Sequence, residues 1–199
     1  MIKKLEEKDT QAFSELIIDM YSHLKNLEWF SPMPYDYDSV LSMITNDRFF
    51  IIGYFDGDTL CGVSSLDYKC GKLIGKVDLP SEDSIVEIGF NIVHSKYRGQ
   101  GIMAKMVSYL LDKIKSDNFQ WVFAKVHKDN LASSKSLIKN GLTVYSSYTK
   151  PVKMVDFVNL SSADFFSAVG KENAKKTLSR YSENDTEIFV DYNIITKKL

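Results

Sequence analysis

A strand, a glycine turn and an amphipathic helix follow one another in the middle of this chain, and they constrain its fold more than any other segment. Residues 85–93 (IVEIGFNIV) are rich in β-branched side chains and predict a strand. Residues 102–114 carry apolar side chains at helical spacing. Gly99 and Gly101 lie between them and can adopt backbone angles closed to other residues. The pattern predicts a tight strand-to-helix connection.

The glycine turn is suited to an anionic ligand. The first turn of a helix has N–H groups without intrahelical partners and carries roughly half a positive charge. Arg98 precedes the first glycine and adds a fixed charge with fork geometry. Two interpretations stay open on these residues alone: a phosphate or pyrophosphate site, and a tight turn that binds nothing.

Two familiar nucleotide motifs do not fit the turn. A P-loop requires Lys and then Ser or Thr after its last glycine, whereas Ile102 and Met103 follow Gly101. A dinucleotide fingerprint accepts Ala104 at its third small position but requires an acidic residue at the end of the next strand. The next predicted strand, residues 121–127 (WVFAKVH), ends without one. We therefore set both nucleotide classes aside.

Composition places the chain among ordinary globular proteins. It has 199 residues, 44% hydrophobic and 26% charged, with a formal net charge of −1. That balance provides no global field for nucleic acid or an anionic membrane, and no apolar run approaches the roughly 20 residues that span a bilayer. Cys61, Cys70 and the three histidines lack metal-ligand spacing. We expect a cytoplasmic protein that binds no metal, nucleic acid or membrane.

The order of the predicted elements is β-α-α-β-β-β-α-β-α-β up to residue 148, and residues 187–195 follow as one more strand. Hairpins come first and strand–helix alternation follows, which predicts an α/β (α+β) fold with a mixed sheet and helices on both faces. The last strand is expected to pair with residues 142–148. Residues 151–186 predict a helical insertion before it.

Two segments carry a resemblance to a known family. Residues 98–103 (RGQGIM) resemble the acyl-CoA pyrophosphate loop of the GNAT superfamily, Gln/Arg-x-x-Gly-x-Gly/Ala, although Met103 stands where Gly or Ala is usual. Residues 130–142 (NLASSKSLIKNGL) are similar to the family segment Asn-x-x-Ala/Ser…Gly-Phe. The resemblance covers about residues 1–150 and the final strand, and it does not explain residues 151–186.

The resemblance implies a fold and an activity. The fold would be a single GNAT-like domain over residues 1–199, with a mainly antiparallel sheet of about seven strands in which strands 4 and 5 splay apart. The activity would be that of an N-acetyltransferase, which moves an acetyl group from acetyl-CoA to a primary amine by direct transfer in a ternary complex. The acceptor would be a small molecule or a peptide, and the protein a monomer or a homodimer.

The resemblance also implies the cofactor contacts. Main-chain groups of the fourth strand would bind the pantetheine arm, the glycine turn would bind the pyrophosphate, and an asparagine with a nearby serine would hold the arm from the other side. Asn130 could equally serve only as a helix N-cap. The residues concerned are Ile92, Val93, His94, Arg98, Gly99, Gln100, Gly101, Ile102, Met103, Ala104, Asn130 and Ser133.

The chemistry needs a base, because an ammonium has no lone pair with which to attack a thioester. Glu87 is the candidate general base. It is flanked by Val86 and Ile88, which would raise its pKa, and a two-residue period predicts that it shares a strand face with Asn91. The alternative is a solvated charge or a structural hydrogen bond.

The general acid and the acceptor site are less defined. Leu137 replaces the tyrosine that usually protonates the leaving thiolate in the family, which gives some weight to a non-catalytic acyl-CoA-binding sensor or interaction module. Residues 28–38 form an acidic, aromatic loop in the region that lines the family's acceptor site. Glu28, Trp29 and Tyr35 could bind an amine there, or the loop could be ordinary packed surface.

Overall fold

The computed structural model describes residues 1–24, 29, 33–69, 84–153 and 187–199, and for residues 150–153 and 187–191 only the backbone. Glu28 and nearly all of the predicted insertion lie outside the described residues. The sixth strand continues to Lys153, which lies inside the insertion predicted at about 151–186.

Within the described residues, seven strands form one sheet in the order β1-β2-β3-β4-β5-β7-β6. Neighbours are antiparallel except β4 and β5, which run parallel. This confirms the predicted mixed, mainly antiparallel sheet and the pairing of the last strand with the one before it. The strands are β1 Ile2–Lys4, β2 Phe49–Asp56, β3 Thr59–Asp67, β4 Ile85–Val93, β5 Trp121–His127, β6 Thr143–Lys153 and β7 Glu187–Lys198.

Four α-helices of the described residues cover the two faces of the sheet, as predicted. Helices α1 (Thr10–His23) and α2 (Tyr37–Thr45) pack on one face. Helices α3 (Ile102–Ser116) and α4 (Leu131–Lys139) pack on the other. We call the two apolar layers the α1-side core and the α3-side core. The apolar residues continue at helical spacing through Leu24 to Leu27 and predict a longer helix, but α1 ends at His23 because Leu24 is extended, with ψ of 135°.

Local sequence accounts for the helix ends that matter to the site. The carboxylate of Asp36 accepts the Ser39 N–H at 2.9 Å and caps α2. Asn130 caps α4 in the same way, by accepting the Ser133 N–H at 3.2 Å. Gly141 follows α4 with a φ of +82°, the left-handed stop that the Asn-Gly pair predicts.

No helix of the described residues is both long enough and apolar enough to cross a membrane. In the same part of the chain, no group of three His, Cys, Asp or Glu side chains is arranged to hold a metal ion.

We expect Leu110→Ala to lower the free energy of unfolding by about 2–5 kcal/mol, because Leu110 is fully buried in the α3-side core. Urea denaturation followed by far-UV circular dichroism measures the change. Tyr109→Ala is the matched control on the exposed side of the same helix, with 40% of that residue exposed, and should change stability by no more than about 0.5 kcal/mol. Equal losses in the two variants would contradict the assigned helix face.

Candidate active site

The strands β4 and β5 pair over only three positions and then part. Their hydrogen-bonded register joins Ile85 to Trp121, Val86 to Val122 and Glu87 to Phe123. Beyond Glu87, β4 continues to pair with β3, and β5 continues to pair with β7 to its end. The described structure therefore has the splayed fourth and fifth strands that the family resemblance implies.

A bulge in β4 lies directly after the parting. Gly89 pairs with Ser65 and Ile92 pairs with Val63, so two residues of β4 oppose one of β3. Phe90 lies in the bulge with a φ of +47°. Residues four apart share a face in a regular strand, yet Ile88 belongs to the α3-side core and Ile92 to the α1-side core.

The bulge corrects the predicted face of Asn91. The two-residue period placed Asn91 on the face of Glu87, but the extra residue reverses the alternation between them. The side chain of Asn91 instead accepts a hydrogen bond from the Ser64 hydroxyl at 2.6 Å. Asn91 and Glu87 therefore approach the gap from opposite faces of β4.

A cavity of about 260 Å³ opens where the strands part. It brings together three of the predicted site residues from β4 and α4, and Trp29 from the acceptor loop. Its described lining comprises Trp29, Met33, Arg48, Phe49, Ser65, Asp67, Glu87, Ile88, Gly89, Phe90, Asn91, Lys125, Val126, Asn130, Ser133, Tyr148 and Tyr192.

Two ion pairs line the cavity side by side. The Glu87 carboxylate lies 3.0 Å from the ammonium of Lys125 on β5. Asp67, which pairs with Glu87 across β3 and β4, binds the Arg48 guanidinium through two contacts of 2.8 and 2.5 Å. Burial raises the pKa of Glu87, and the Lys125 ammonium opposes that rise. Glu87 is thus buried as the sequence predicted, with a cationic partner that the sequence did not predict.

Aromatic side chains form the rest of the wall. The rings of Tyr148 and Tyr192 stack with centroids 5.6 Å apart, on neighbouring strands β6 and β7. Burial raises the pKa of Tyr148, so its phenol stays neutral. The indole N–H of Trp29 and the hydroxyl of Ser65 are buried and have no hydrogen-bond partner among the described residues. Such groups carry a free-energy cost unless a ligand or water completes them.

The two other predicted acceptor residues do not line the cavity within the described structure. Tyr35 packs against the α1-side core, and its carbonyl accepts a hydrogen bond from the Ser14 hydroxyl. Glu28 lies outside the described residues. The loop is anchored nearby through Tyr21, whose hydroxyl donates to the Met33 carbonyl at 3.0 Å and accepts the Met33 N–H at 2.7 Å. Burial raises the pKa of Tyr21 to about 12.

The predicted cofactor turn lies apart from the cavity, at the start of α3. Gly99 and Gly101 have φ angles of +80° and +73°, and a side chain at either position would meet no atom within 4 Å. None of the N–H groups of residues 99–104 donates to another residue of the described structure. Met103 fits at its unusual position because it packs, partly buried, against the α3-side core.

Arg98 points back from the turn. Its Nε donates to the Val93 carbonyl at 3.1 Å and its Nη1 donates to the His23 carbonyl at 3.3 Å. Asp19 of α1 ties down the same segment by accepting the Ser95 N–H and hydroxyl, each at 2.7 Å. The loop before α3 is therefore fastened to the last turn of α1.

The remaining predicted residues occupy the end of β4 and the start of α4. Ile92 is buried, Val93 pairs with Gly62, and the His94 N–H donates to the Cys61 carbonyl at 2.9 Å. Leu137 is fully buried in the α3-side core, so α4 presents no phenol at that position.

Sequence reasoning missed Arg48, Asp67, Lys125, Tyr148 and Tyr192 as cavity residues. One pattern could have indicated Lys125: it is a charged residue inside β5, flanked by the buried Ala124 and Val126. The others depend on strand register, which the sequence alone does not provide.

Comparison with known proteins agrees with this geometry. Residues 1–143 match the family model described as the acetyltransferase (GNAT) domain. The chain therefore belongs to the GNAT acetyltransferase family. No curated protein sequence matches it significantly.

Solved structures share the fold at low sequence identity. One is yncA of Salmonella typhimurium, an acetyltransferase candidate solved with its cofactor acetyl-CoA; its TM-score is 0.67 at 15% identity, over 100% of this chain and 93% of that one. Ribosomal-protein-alanine N-acetyltransferase of Brucella melitensis has a TM-score of 0.68 at 14% identity, over 100% and 99% of the chains. An N-acetyltransferase of Staphylococcus aureus Mu50 has a TM-score of 0.66 at 14% sequence identity, over 100% of this chain and 97% of that one. At such identities the likeness concerns the fold alone.

We expect Asp19→Ala to loosen the loop before α3, because it leaves the Ser95 N–H and hydroxyl without their charged acceptor. The free energy of unfolding should fall by about 1.5–3 kcal/mol, and amide hydrogen exchange should accelerate at residues 95–101. Asp112→Ala removes an exposed carboxylate from α3 and serves as the control. Unchanged exchange at residues 95–101 in Asp19→Ala would contradict the anchoring role.

Proposed function

We propose that the protein is an acetyl-CoA-dependent N-acetyltransferase that acetylates a primary amine by direct transfer, with Glu87 as general base. The observation that most directly supports this proposal is the cavity at the point where β4 and β5 separate. It contains a buried carboxylate on one side and the polar start of α4, Asn130 and Ser133, on the other. Family membership supports an acetyltransferase activity. The structure supports this choice of base and of donor.

The described residues fit acetyl-CoA. The unpaired N–H groups of residues 99–104, at the start of a 15-residue helix, suit its pyrophosphate. The left-handed Gly99 and Gly101 leave the backbone open to close approach. We assign the pantetheine arm to the main chain of residues 92–94 and to Asn130, whose side-chain amide donor has no partner among the described residues. Arg98 then acts mainly by holding the loop, because its guanidinium is bonded to two carbonyls.

Acetyl-CoA supplies a thioester, with an electrophilic carbonyl carbon and a thiolate leaving group. Glu87 removes a proton from the acceptor ammonium and frees its lone pair. The nitrogen forms the new C–N bond while the C–S bond breaks and leaves its electron pair on sulfur. The nitrogen's surplus proton goes to water, and water returns one to the sulfur, because Leu137 places no phenol on α4. No cysteine lines the cavity within the described residues, which favours direct transfer over a covalent acyl-enzyme.

The test is thermal unfolding with excess acetyl-CoA, with NAD and ATP as controls, followed by a thiol-release assay over a panel of amines. Acetyl-CoA at about 100 times its Kd should stabilise the protein by about 2.7 kcal/mol. The absence of a shift with acetyl-CoA and with longer acyl-CoAs would overturn the proposal. A specific shift without turnover of any amine would favour the non-catalytic acyl-CoA-binding module, the reading to which Leu137 gives some weight.

We expect Gly101→Ala to weaken acetyl-CoA binding about tenfold or more. The free turn should relax out of the left-handed conformation, which costs roughly 1–2 kcal/mol with a side chain, and binding must restore that conformation with a methyl group facing the ligand. Isothermal titration calorimetry measures the Kd. Gly57→Ala is the matched control: Gly57 also has a positive φ, of +56°, and open space around it, but it lies in the β2–β3 turn. It should lose similar stability and keep its affinity. Equal affinities in both variants would argue against the turn as the pyrophosphate site.

We expect the pH profile of kcat/KM to show the ionisation of the Glu87 carboxylate as a loss of activity at low pH. Burial raises its pKa, and only the ionised carboxylate can accept a proton, so activity should be lost as pH falls through a pKa above that of an ordinary glutamate. Lys125→Met should move this acidic limb to still higher pH, because the ammonium lowers the pKa of Glu87.

Glu87→Gln should remove the limb and lower kcat by about 10²–10⁴-fold. Glu7→Gln, an exposed glutamate before α1, should match the wild type. A wild-type profile in Glu87→Gln would assign the base to another residue.

A further inference from the structure

We propose that the acceptor is an α-amino acid, or a molecule that ends in an α-amino-carboxylate group, whose ammonium meets Glu87 and whose carboxylate meets Lys125. The inference rests on the proposed function, because it names the substrate class for the same cavity.

The first argument is the spacing of the ion pair. The Lys125 ammonium and the Glu87 carboxylate lie 3.0 Å apart, on the two strands that part at the cavity. An α-amino acid carries one ammonium and one carboxylate on the same carbon, and standard bond lengths place their nearest N and O atoms roughly 3 Å apart. When the amino acid lies antiparallel to the ion pair, its ammonium faces Glu87 and its carboxylate faces Lys125. The four charges then alternate in sign around a square. Each charge then has two opposite neighbours.

The second argument is the cost to a simple monoamine. Lys125 already neutralises Glu87, and the Glu87 side chain is 12% exposed. An ammonium without its own counter-charge must share Glu87 with a cation about 3 Å away, or displace Lys125 and leave it unpaired. Both cost free energy in a partly dehydrated site. A zwitterion joins the pair without breaking it.

The third argument is the charge of the whole cavity. Among the described lining residues, the cations Arg48 and Lys125 balance the carboxylates Asp67 and Glu87. A polyamine or an aminoglycoside would meet no excess of negative charge there, so complementarity is poor for polycations. The cavity volume of about 260 Å³ also favours a small acceptor, since pockets for drug-sized ligands measure roughly 300–1,000 Å³.

The fourth argument concerns the acceptor's other groups. The walls of Phe49, Phe90, Tyr148 and Tyr192 suit an apolar or aromatic side chain. The Trp29 indole N–H can only donate, and it lines the cavity with no acceptor for it in the part of the chain that the structure describes. A carboxylate or carbonyl oxygen on the acceptor would complete it, whereas a plain amine has no acceptor to offer.

The experiment compares matched acceptors in the thiol-release assay. The 20 standard L-amino acids are screened, and each acetylated one is compared with its amide and with its decarboxylated amine. The inference predicts that kcat/KM for at least one amino acid exceeds that for both analogues by about ten- to a hundredfold, the value of one hydrogen bond to a charged group. Spermidine should not be acetylated faster than that amino acid.

Lys125→Met tests the assigned partner. It should abolish the preference for the acid over its amide, a ratio that general loss of structure would not change. Lys135→Met, an exposed lysine of α4, should keep the preference. An unchanged acid-to-amide ratio in Lys125→Met would overturn the inference.

The outcomes separate this inference from the proposed function. If acetyl-CoA binds and simple amines or spermidine are acetylated better than every amino acid, the inference fails and the proposed function stands. If acetyl-CoA neither binds nor is consumed with any amine, the proposed function fails. In that case a thermal shift with amino acids that is absent with their amides, and is lost in Lys125→Met, would still support the ligand class, and its absence would overturn it.

Discussion

Hydrogen bonds join β4 to β5 over only three residue pairs, and the candidate site depends on where those bonds stop. Because β3 and β7 continue to hold the outer edges of the two strands, the gap has rigid walls on both sides. The bulge in β4 then brings polar side chains to the gap from both faces of one strand. A cavity with a buried carboxylate on one side and a helix start on the other follows from that single interruption of pairing.

Most of the fold was predictable because its signals are local. The strands at 85–93 and 121–127 have the predicted bounds, and α3 follows its apolar stripe closely. In buried strands and amphipathic helices, the apolar residues recur at spacings that are characteristic of the element, so the sequence itself indicates them. The glycine turn was predictable for a similar reason, since only glycine adopts φ near +75° without strain at Gly99 and Gly101.

The site was predictable only in part, because its chemistry depends on register. Glu87, Asn130 and Ser133 line one cavity as their elements predicted, whereas Asn91 changed face at a bulge that leaves no mark in a two-residue period. Lys125 and Tyr192 reach the cavity through strand pairings between segments about 70 residues apart. The sequence shows that such residues exist, but without the strand register it does not indicate which of them are in contact.

The position of β7 between β5 and β6 has a consequence for how the protein is made. Both neighbours leave the ribosome before β7, and β5 has no partner on that edge until residues 192–198 follow. Because a domain generally folds as a unit, closure of the sheet waits for β7, which holds β5 and β6 together. The Tyr192 side of the cavity is therefore completed only when the residues of β7 have been made and have paired with both neighbours.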